Sequence, residues 1–96
     1  MVKPKRTTGA TGNYSPKKAF GLAFRRIRAR KGLTQTQLAD RAGYHRNLVS
    51  LIERGEANLS LMTLFDMAAT LGIPPSKIVR ATERLVDRAA RTSRRV

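Results

Sequence analysis

A short run near the middle of the chain is rich in side chains that can donate or accept hydrogen bonds. Arg46 and Asn47 are adjacent, Ser50 follows three residues later, and His45 and Arg54 lie at either end of the run. A guanidinium group can donate to the two acceptors of guanine, and an amide can match the donor and acceptor of adenine. These residue types therefore fit the edges of base pairs, provided that one helix face presents them together.

The residues around this run predict two short helices joined by a tight turn. Val49 and Ile52 give the second helix an apolar inner face, and Ala39 is the small residue needed where the two helices cross. Gly43 tolerates the positive φ that such a turn requires. We therefore predict a helix-turn-helix over about residues 34–54.

Apolar spacing and cap residues predict an all-α chain with five helices, and no segment alternates like a strand. The predicted helices run from Ser15-Pro16 to Lys31-Gly32, from the Thr34–Gln37 capping box to Gly43, from His45 to Glu53, from Ser60 to Gly72, and from Pro74-Pro75-Ser76 to about Arg91. The residues assigned to the core include Phe20, Phe24 and Phe65, with a helix 4 stripe of Leu61, Leu64, Phe65, Ala68 and Leu71. Residues 1–14 are predicted to be a flexible basic arm, residues 15–91 the folded domain, and residues 92–96 a frayed basic tail.

The chain is strongly basic, and its excess charge is unevenly distributed. It has 96 residues and a formal net charge of +14, from 20 Lys and Arg against 6 Asp and Glu. Residues 1–31 contain ten bases and no acid, residues 32–72 carry a net charge of −1, and residues 73–96 carry +5. This length supports one small core, and this charge favours a polyanionic partner. We expect the discriminating chemistry in the near-neutral centre and general attraction from the basic flanks.

Several classes of protein are disfavoured by what the sequence lacks. It has no cysteine, so disulfides and thiolate zinc sites are excluded, and its single histidine does not suggest a metal site. It has neither an apolar run long enough to span a membrane nor a signal peptide, so a cytoplasmic location, associated with the nucleoid through DNA, is expected. No nucleophile–base pair, carboxylate dyad or phosphate-binding glycine loop is present, so neither an enzyme nor a cofactor is expected.

The segment from Gly32 to Ile73, GLTQTQLADRAGYHRNLVSLIERGEANLSLMTLFDMAATLGI, resembles the lambda-repressor-like, or Xre-type, helix-turn-helix family. The resemblance extends over about Phe20 to Val79, and the HRNLVSLIERGEANLSL stretch is most similar to the controller proteins of restriction-modification systems. It implies a five-helix bundle that binds double-stranded DNA as a homodimer, at a two-fold symmetric operator, with helix 3 in the major groove. The implied function is sequence-specific transcriptional regulation.

The resemblance also assigns roles to individual residues. Base contacts are expected from Arg46, Asn47, Ser50 and Leu51; Leu51 either touches a thymine methyl or packs on the bundle. Phosphate contacts are expected from Gln35, Arg54 and Asn58. Arg28 is expected to form an ion pair with Glu53. Two positions depart from the family pattern: His45 replaces the usual Ser or Thr cap, and Tyr44 replaces a small aliphatic residue. Because histidine caps poorly, helix 3 could begin at His45 or one residue away from it. His45 is also expected to contact a DNA phosphate.

Helix 5 is longer than a bundle of this size needs, which suggests that part of it forms a dimer surface. The expected dimer residues are Ile78, Leu85, Val86 and Ala89, and the basic stripe Arg80, Arg84, Arg88 and Arg91 is interpreted as mostly solvated.

Two alternative functions remain open: an antitoxin-type autorepressor with a toxin partner, and a non-specific basic nucleic-acid-binding protein. RNA polymerase is a further possible partner. Lys3, Lys5 and Arg6 fit either non-specific attraction or a minor-groove arm.

Overall fold

The computed structural model describes residues 15–94, and their side chains as far as residue 92. The helices are α1 (Pro16–Arg30), α2 (Gln35–Ala42), α3 (Arg46–Glu53), α4 (Leu61–Leu71) and α5 (Pro75–Arg94). No residue in the described range forms a strand, so the prediction of an all-α, five-helix chain is confirmed. The arm predicted over residues 1–14 lies outside the described residues.

Three of the helices begin at the side-chain caps that the sequence predicts. The Ser15 hydroxyl accepts a hydrogen bond from the backbone N–H three residues later at 3.1 Å, and Ser60 does the same at 3.0 Å. Thr34 and Gln37 form a complete capping box, in which each side chain bonds the other residue's backbone N–H. Each cap stabilises its helix by about 1 kcal/mol, because it satisfies a donor that has no partner within the helix.

The structure fixes two helix ends that the sequence indicated only approximately. His45 is the N-cap of α3 and makes no side-chain cap bond, so the helix itself begins one residue later, at Arg46. The C-terminal helix continues to Arg94, three residues beyond the predicted end at Arg91. No Gly or Pro follows Ala90 to stop the helix. The frayed tail over residues 92–96 stays a prediction.

All five helices contribute to a single core. The largest fully buried side chains are Phe24 of α1, Leu38 of α2, Val49 of α3, Met67 of α4 and Ile78 of α5. Each such burial contributes about 1.5–3 kcal/mol relative to leaving the side chain in water. Because α1 packs against both α3 and α5, and α2 packs against both α3 and α4, the core fixes α3 from two sides.

The prediction for the core face of α4 was wrong at two positions. Leu61 is 70% exposed and Phe65 is 53% exposed, whereas Met67, which the predicted stripe omitted, is fully buried. The three polar residues of α4, Thr63, Asp66 and Thr70, share one helix face, but all three are half-buried and Asp66 accepts a bond from Tyr44. The polar face of α4 therefore does not mark its solvent side. Of the other two phenylalanines, Phe24 is fully buried, and Phe20 is half-buried and stacked on it with ring centroids 6.0 Å apart.

Within residues 15–94, no helix contains an apolar stretch of the length that a membrane span requires. The same range contains no cluster of three or more His, Asp or Glu side chains that could hold a metal ion.

Candidate nucleic-acid interface

The turn between α2 and α3 depends on a glycine with a left-handed backbone conformation. Gly43 ends α2 in the left-handed conformation, with φ of 80°, where a side chain would be strained. Ala39 is completely buried at the helix crossing, and Val49 and Ile52 turn the inner face of α3 into the core. The opposite face of α3 is consequently directed away from the bundle.

This outer face presents the residues predicted to contact DNA, with different degrees of exposure. His45, Arg46 and Asn47 are exposed, whereas Ser50 and Leu51 are half-buried. The first turn of α3 therefore projects furthest from the bundle. A helix inserted into the major groove by its N-terminal end places its first residues against the base edges.

Arg28 of α1 holds the C-terminal end of α3 through Glu53. Its Nε donates to Glu53 Oε2 at 2.5 Å, its Nη2 donates to Oε1 at 2.9 Å, and its Nη1 donates to the Leu33 carbonyl at 2.7 Å. The side chains are only 13% and 4% exposed. Hydrogen bonding to Glu53 and the charge of that carboxylate raise the pKa of Arg28 above its ordinary value, although burial opposes the shift.

The same carboxylate also connects α3 to α2. Gln35 Nε2 donates to Glu53 Oε1 at 3.0 Å, so one oxygen of Glu53 accepts bonds from both Arg28 and Gln35. The Gln35 side chain is half-buried and keeps a second amide N–H beyond the one that bonds Glu53. The orientation of α3 is therefore fixed at a single point by groups from two other helices.

A shallow depression of about 420 Å³ lies beside this junction. The first turn of α2 lines it with Thr34, Gln35 and Thr36, and the cationic side chains Arg28 and Arg46 lie at its edge. The N-terminus of a helix offers unpaired backbone N–H groups and a positive dipole end to an anion. Since Arg28 is already paired with Glu53, the depression combines these donors with the charge of Arg46 next to the exposed end of α3.

Close packing of α1 on α3 depends on Gly21. A Cβ atom at this position would lie 2.8 Å from the Glu53 carbonyl oxygen and even closer to that of Ile52. Both neighbours are backbone atoms of α3, which cannot move without moving the helix. In the sequence, a glycine inside a helix signalled only weaker helix propensity, so its role at this crossing was missed.

Tyr44, which departs from the family pattern, connects the turn to α4. Its hydroxyl donates to Asp66 Oδ2 at 2.5 Å, and its ring packs against the core. A small aliphatic residue at this position could not make that bond. The substitution therefore adds a polar tie between the turn and α4.

The remaining predicted phosphate ligands lie at and beyond the end of α3. Arg54 and Asn58 are exposed, and Arg54 Nη2 is 3.4 Å from Glu56 Oε1 in a solvent-accessible ion pair. An exposed pair of this kind contributes about 0–1 kcal/mol. Arg54 can therefore exchange Glu56 for another anion at little cost.

The residues predicted to form a dimer surface occupy three different environments. Ile78 is completely buried in the core and offers no surface to another chain, so its assignment to a dimer interface is corrected. Leu85 lines a groove between α5 and α1. Val86 and Ala89 are half-buried. Among the residues that the structure describes, the exposed large apolar side chains are Leu61, Met62, Phe65 and Val79. The three on α4 were not expected in an interface.

Two short helices crossing at a glycine turn, with a polar helix face directed outward, define a helix-turn-helix protein. Residues 24–78, more than half of the chain, match the helix-turn-helix family. The chain belongs to this family and is a DNA-binding transcription regulator of the Xre, or lambda-repressor-like, type.

Similar proteins include regulators from several bacteria. An uncharacterized HTH-type transcriptional regulator, y4dJ of Sinorhizobium fredii, is 36% identical over 67 residues, which cover 70% of this chain and 87% of the relative. The control protein C.BamHI of Bacillus amyloliquefaciens is 36% identical over 64 residues, covering 66% and 79%. The crystal structure of the restriction-modification controller protein C.AhdI from Aeromonas hydrophila superposes with a TM-score of 0.66 at 37% identity, covering 68% of this chain and 98% of that one.

Proposed function

We propose that the protein is a sequence-specific transcriptional regulator that binds a two-fold symmetric operator as a homodimer, with α3 in the major groove. The observation that carries this proposal is the exposure of Arg46 and Asn47 on a helix whose far end is clamped by Arg28 and Glu53. A clamped helix presents its side chains in one orientation, which sequence discrimination requires.

Base discrimination is assigned first to Arg46 and Asn47. The guanidinium of Arg46 suits the two acceptors of guanine, and the amide of Asn47 suits the donor and acceptor of adenine. Ser50 and Leu51 lie further along α3 and are half-buried, so they contribute contacts of shorter reach: a hydroxyl bond from Ser50 and a methyl contact from Leu51.

Phosphate contacts are assigned to groups on both sides of α3. Gln35 and the first turn of α2 line the depression next to Arg46, which suits a phosphate oxygen. His45, Arg54 and Asn58 are exposed around α3 and complete the set. These contacts fix the position of α3 on the duplex without themselves distinguishing sequences.

The dimer surface is assigned to an apolar patch that consists of Leu61, Met62 and Phe65 of α4 and Val79 of α5. These side chains are 70%, 70%, 53% and 42% exposed, and the two helices contact each other. Within Leu61–Leu71 the only charged residue is Asp66, and no Lys or Arg is present. Two strongly basic chains can approach each other most easily at this face, where burial of apolar surface is opposed by the least repulsion. Val86 and Ala89 are proposed to lie at its edge.

Selection of bound sites from a pool of random duplex DNA tests this proposal. A dimer with two identical recognition helices should enrich two half-sites related by two-fold symmetry, with centres about one helical turn apart or a multiple of it. Arg46→Ala should lose the enrichment at one position of each half-site. Arg91→Ala, which removes the same charge from an exposed position on α5, should return the wild-type motif. Failure to enrich any motif would contradict the proposal and favour binding by charge alone.

A further inference from the structure

A groove of about 570 Å³ lies between α1 and α5, and its charged lining residues all have the same sign. The six basic residues that line it are Arg26, Arg30, Lys77, Arg80, Arg84 and Arg88. All six are exposed, no Asp or Glu lines the groove, and none of the six forms an ion pair within the described part of the chain. Concentrating six cations in this way raises the local positive potential and favours an anionic occupant.

The groove faces away from the proposed DNA-binding surface. Arg28 and Gly21 lie on the side of α1 that contacts α3. Arg26 and Arg30 are each two residues from Arg28, and two helical residues are about 200° apart around the axis. They therefore point to the opposite side of α1, and α1 itself separates the groove from α3. The groove and the recognition helix α3 thus lie on opposite sides of α1.

The floor of the groove is apolar, although its rim is cationic. Ala81 and Leu85 of α5 are half-buried between the charged residues, and the buried Ala23 and Ile27 of α1 form the base beneath them. The cations of α5 extend from Lys77 to Arg88, about 16 Å or three helical turns. A cationic rim along an apolar floor of this length matches an amphipathic helix, whose apolar stripe fills the floor and whose carboxylates pair with the guanidinium groups.

The other candidate occupants fit less well. The chain's own terminal segments carry Lys3, Lys5 and Arg6 at one end and Arg94 and Arg95 at the other, so the groove would repel them. In a second copy, the described helices contain no run of acidic residues, and its own groove has the same positive charge. Nucleic acid has no apolar stripe for the floor, and no aromatic residue lines the groove to stack with bases.

We infer that the groove between α1 and α5 is a docking site for an acidic amphipathic helix of another protein. This inference is independent of the proposed operator binding, because no groove residue belongs to the proposed DNA interface. It gives the chain a second binding surface that remains accessible while α3 contacts DNA. A regulator of this design can hold an acidic protein next to its bound site.

The test uses the full chain and a fluorescent, synthetic helical peptide of about 16 residues, with Leu along one stripe and Glu along both flanks. A peptide of the same composition, scrambled so that it has no apolar stripe, is the matched ligand control. At physiological ionic strength, the amphipathic peptide should bind at least about tenfold more tightly than the scrambled one, because only it fills the apolar floor. Equal affinity for the two peptides would overturn the inference and indicate diffuse attraction to any polyanion.

Two double variants that remove the same charge localise the site. Arg80→Gln with Arg84→Gln changes the rim of the groove, whereas Lys31→Gln with Arg41→Gln changes exposed residues outside it. The first should weaken binding of the amphipathic peptide about tenfold, and the second should change it less than about threefold. Equal losses would overturn the inference. A rim variant that loses affinity for random duplex DNA, but not for the peptide, would show that the groove binds nucleic acid instead.

Discussion

Arg28 of α1 and Glu53 of α3 form a two-point, largely buried ion pair directly behind the proposed recognition helix. Both oxygens of Glu53 accept a bond from the Arg28 guanidinium, and one of them also accepts from Gln35 of α2. Glu53 is the last residue of α3, so three helices meet at the carboxylate where the recognition helix ends. The proposed DNA-binding face and the interior of the bundle are coupled at this point.

We predict that Glu53→Ala destabilises the protein by about 3 kcal/mol, because it leaves a largely buried guanidinium without its partner. Urea unfolding followed by circular dichroism measures this change. Glu56→Ala is the matched control, since it breaks the exposed pair with Arg54 and should cost less than about 1 kcal/mol. Similar losses from both substitutions would contradict the structural importance of the Arg28–Glu53 pair.

The contribution of Arg28 should be insensitive to pH across the neutral and moderately alkaline range. Its pKa is raised in the folded protein, so the stabilisation is fully present below the unfolded pKa and is lost only as the pH rises through the folded one. The difference in unfolding free energy between wild type and Glu53→Ala should therefore be constant from about pH 7 to about pH 10. A decline over that interval would mean that another titrating group controls the pair.

We predict that Gly21→Ala destabilises the chain by about 1–3 kcal/mol, although alanine favours helices more than glycine does. The added Cβ collides with the carbonyl oxygens of Ile52 and Glu53, so α3 must shift away from α1. Unfolding measurements give the stability, and competition between selected and random duplexes gives the specificity, which should also fall. A variant that is more stable than wild type and equally specific would contradict the proposed close approach.

Much of the architecture could be predicted because it is encoded locally. Ser15, Thr34, Ser60 and Gly43 act within one helical turn, so the sequence alone indicates where these helices begin and end. The exception is α3, where His45 occupies the cap position without making the cap bond. The start of α3 was therefore the helix end that the sequence predicted least well, because no side-chain cap marks it.

The features that sequence reasoning missed depend on which segments meet in three dimensions. The polar face of α4 is itself half-buried, so the exposure of Phe65 follows only from how the other helices cover α4. The spacing of Arg80 and Arg84 indicated a basic stripe, but it could not show that α1 adds Arg26 and Arg30 across a groove. Gly21 likewise has meaning only through its contact with α3.

We predict that Phe65→Ser weakens self-association by at least about tenfold, because it removes the aromatic side chain from the proposed dimer surface. Analytical ultracentrifugation over a concentration series measures the dimer dissociation constant. Since Phe65 is more than half exposed in the isolated chain, at 53%, the unfolding free energy of the monomer should change by less than about 0.5 kcal/mol. Unchanged self-association would place the dimer surface elsewhere.

DNA affinity should depend steeply on salt. If a dimer makes on the order of 6–10 phosphate contacts, its affinity should fall about 10³–10⁵-fold between 50 and 200 mM salt. Replacing Lys3, Lys5 and Arg6 together by alanine should weaken binding to all sequences alike, under the interpretation that the arm supplies non-specific attraction. Fluorescence anisotropy with labelled duplexes measures both effects, and a flat salt response would rule out phosphate-driven association.

The most direct test of the central claim is the ratio of affinities for a selected duplex and for one with a single changed base pair, measured for wild type and Arg46→Ala. Wild type should discriminate by about 1–3 kcal/mol at the position that Arg46 contacts, and the variant should lose that discrimination at this position only. Arg91→Ala, the charge-matched control, should keep it. If Arg46→Ala and Arg91→Ala weaken binding to both duplexes equally and leave the ratio unchanged, α3 does not determine which sequence is bound.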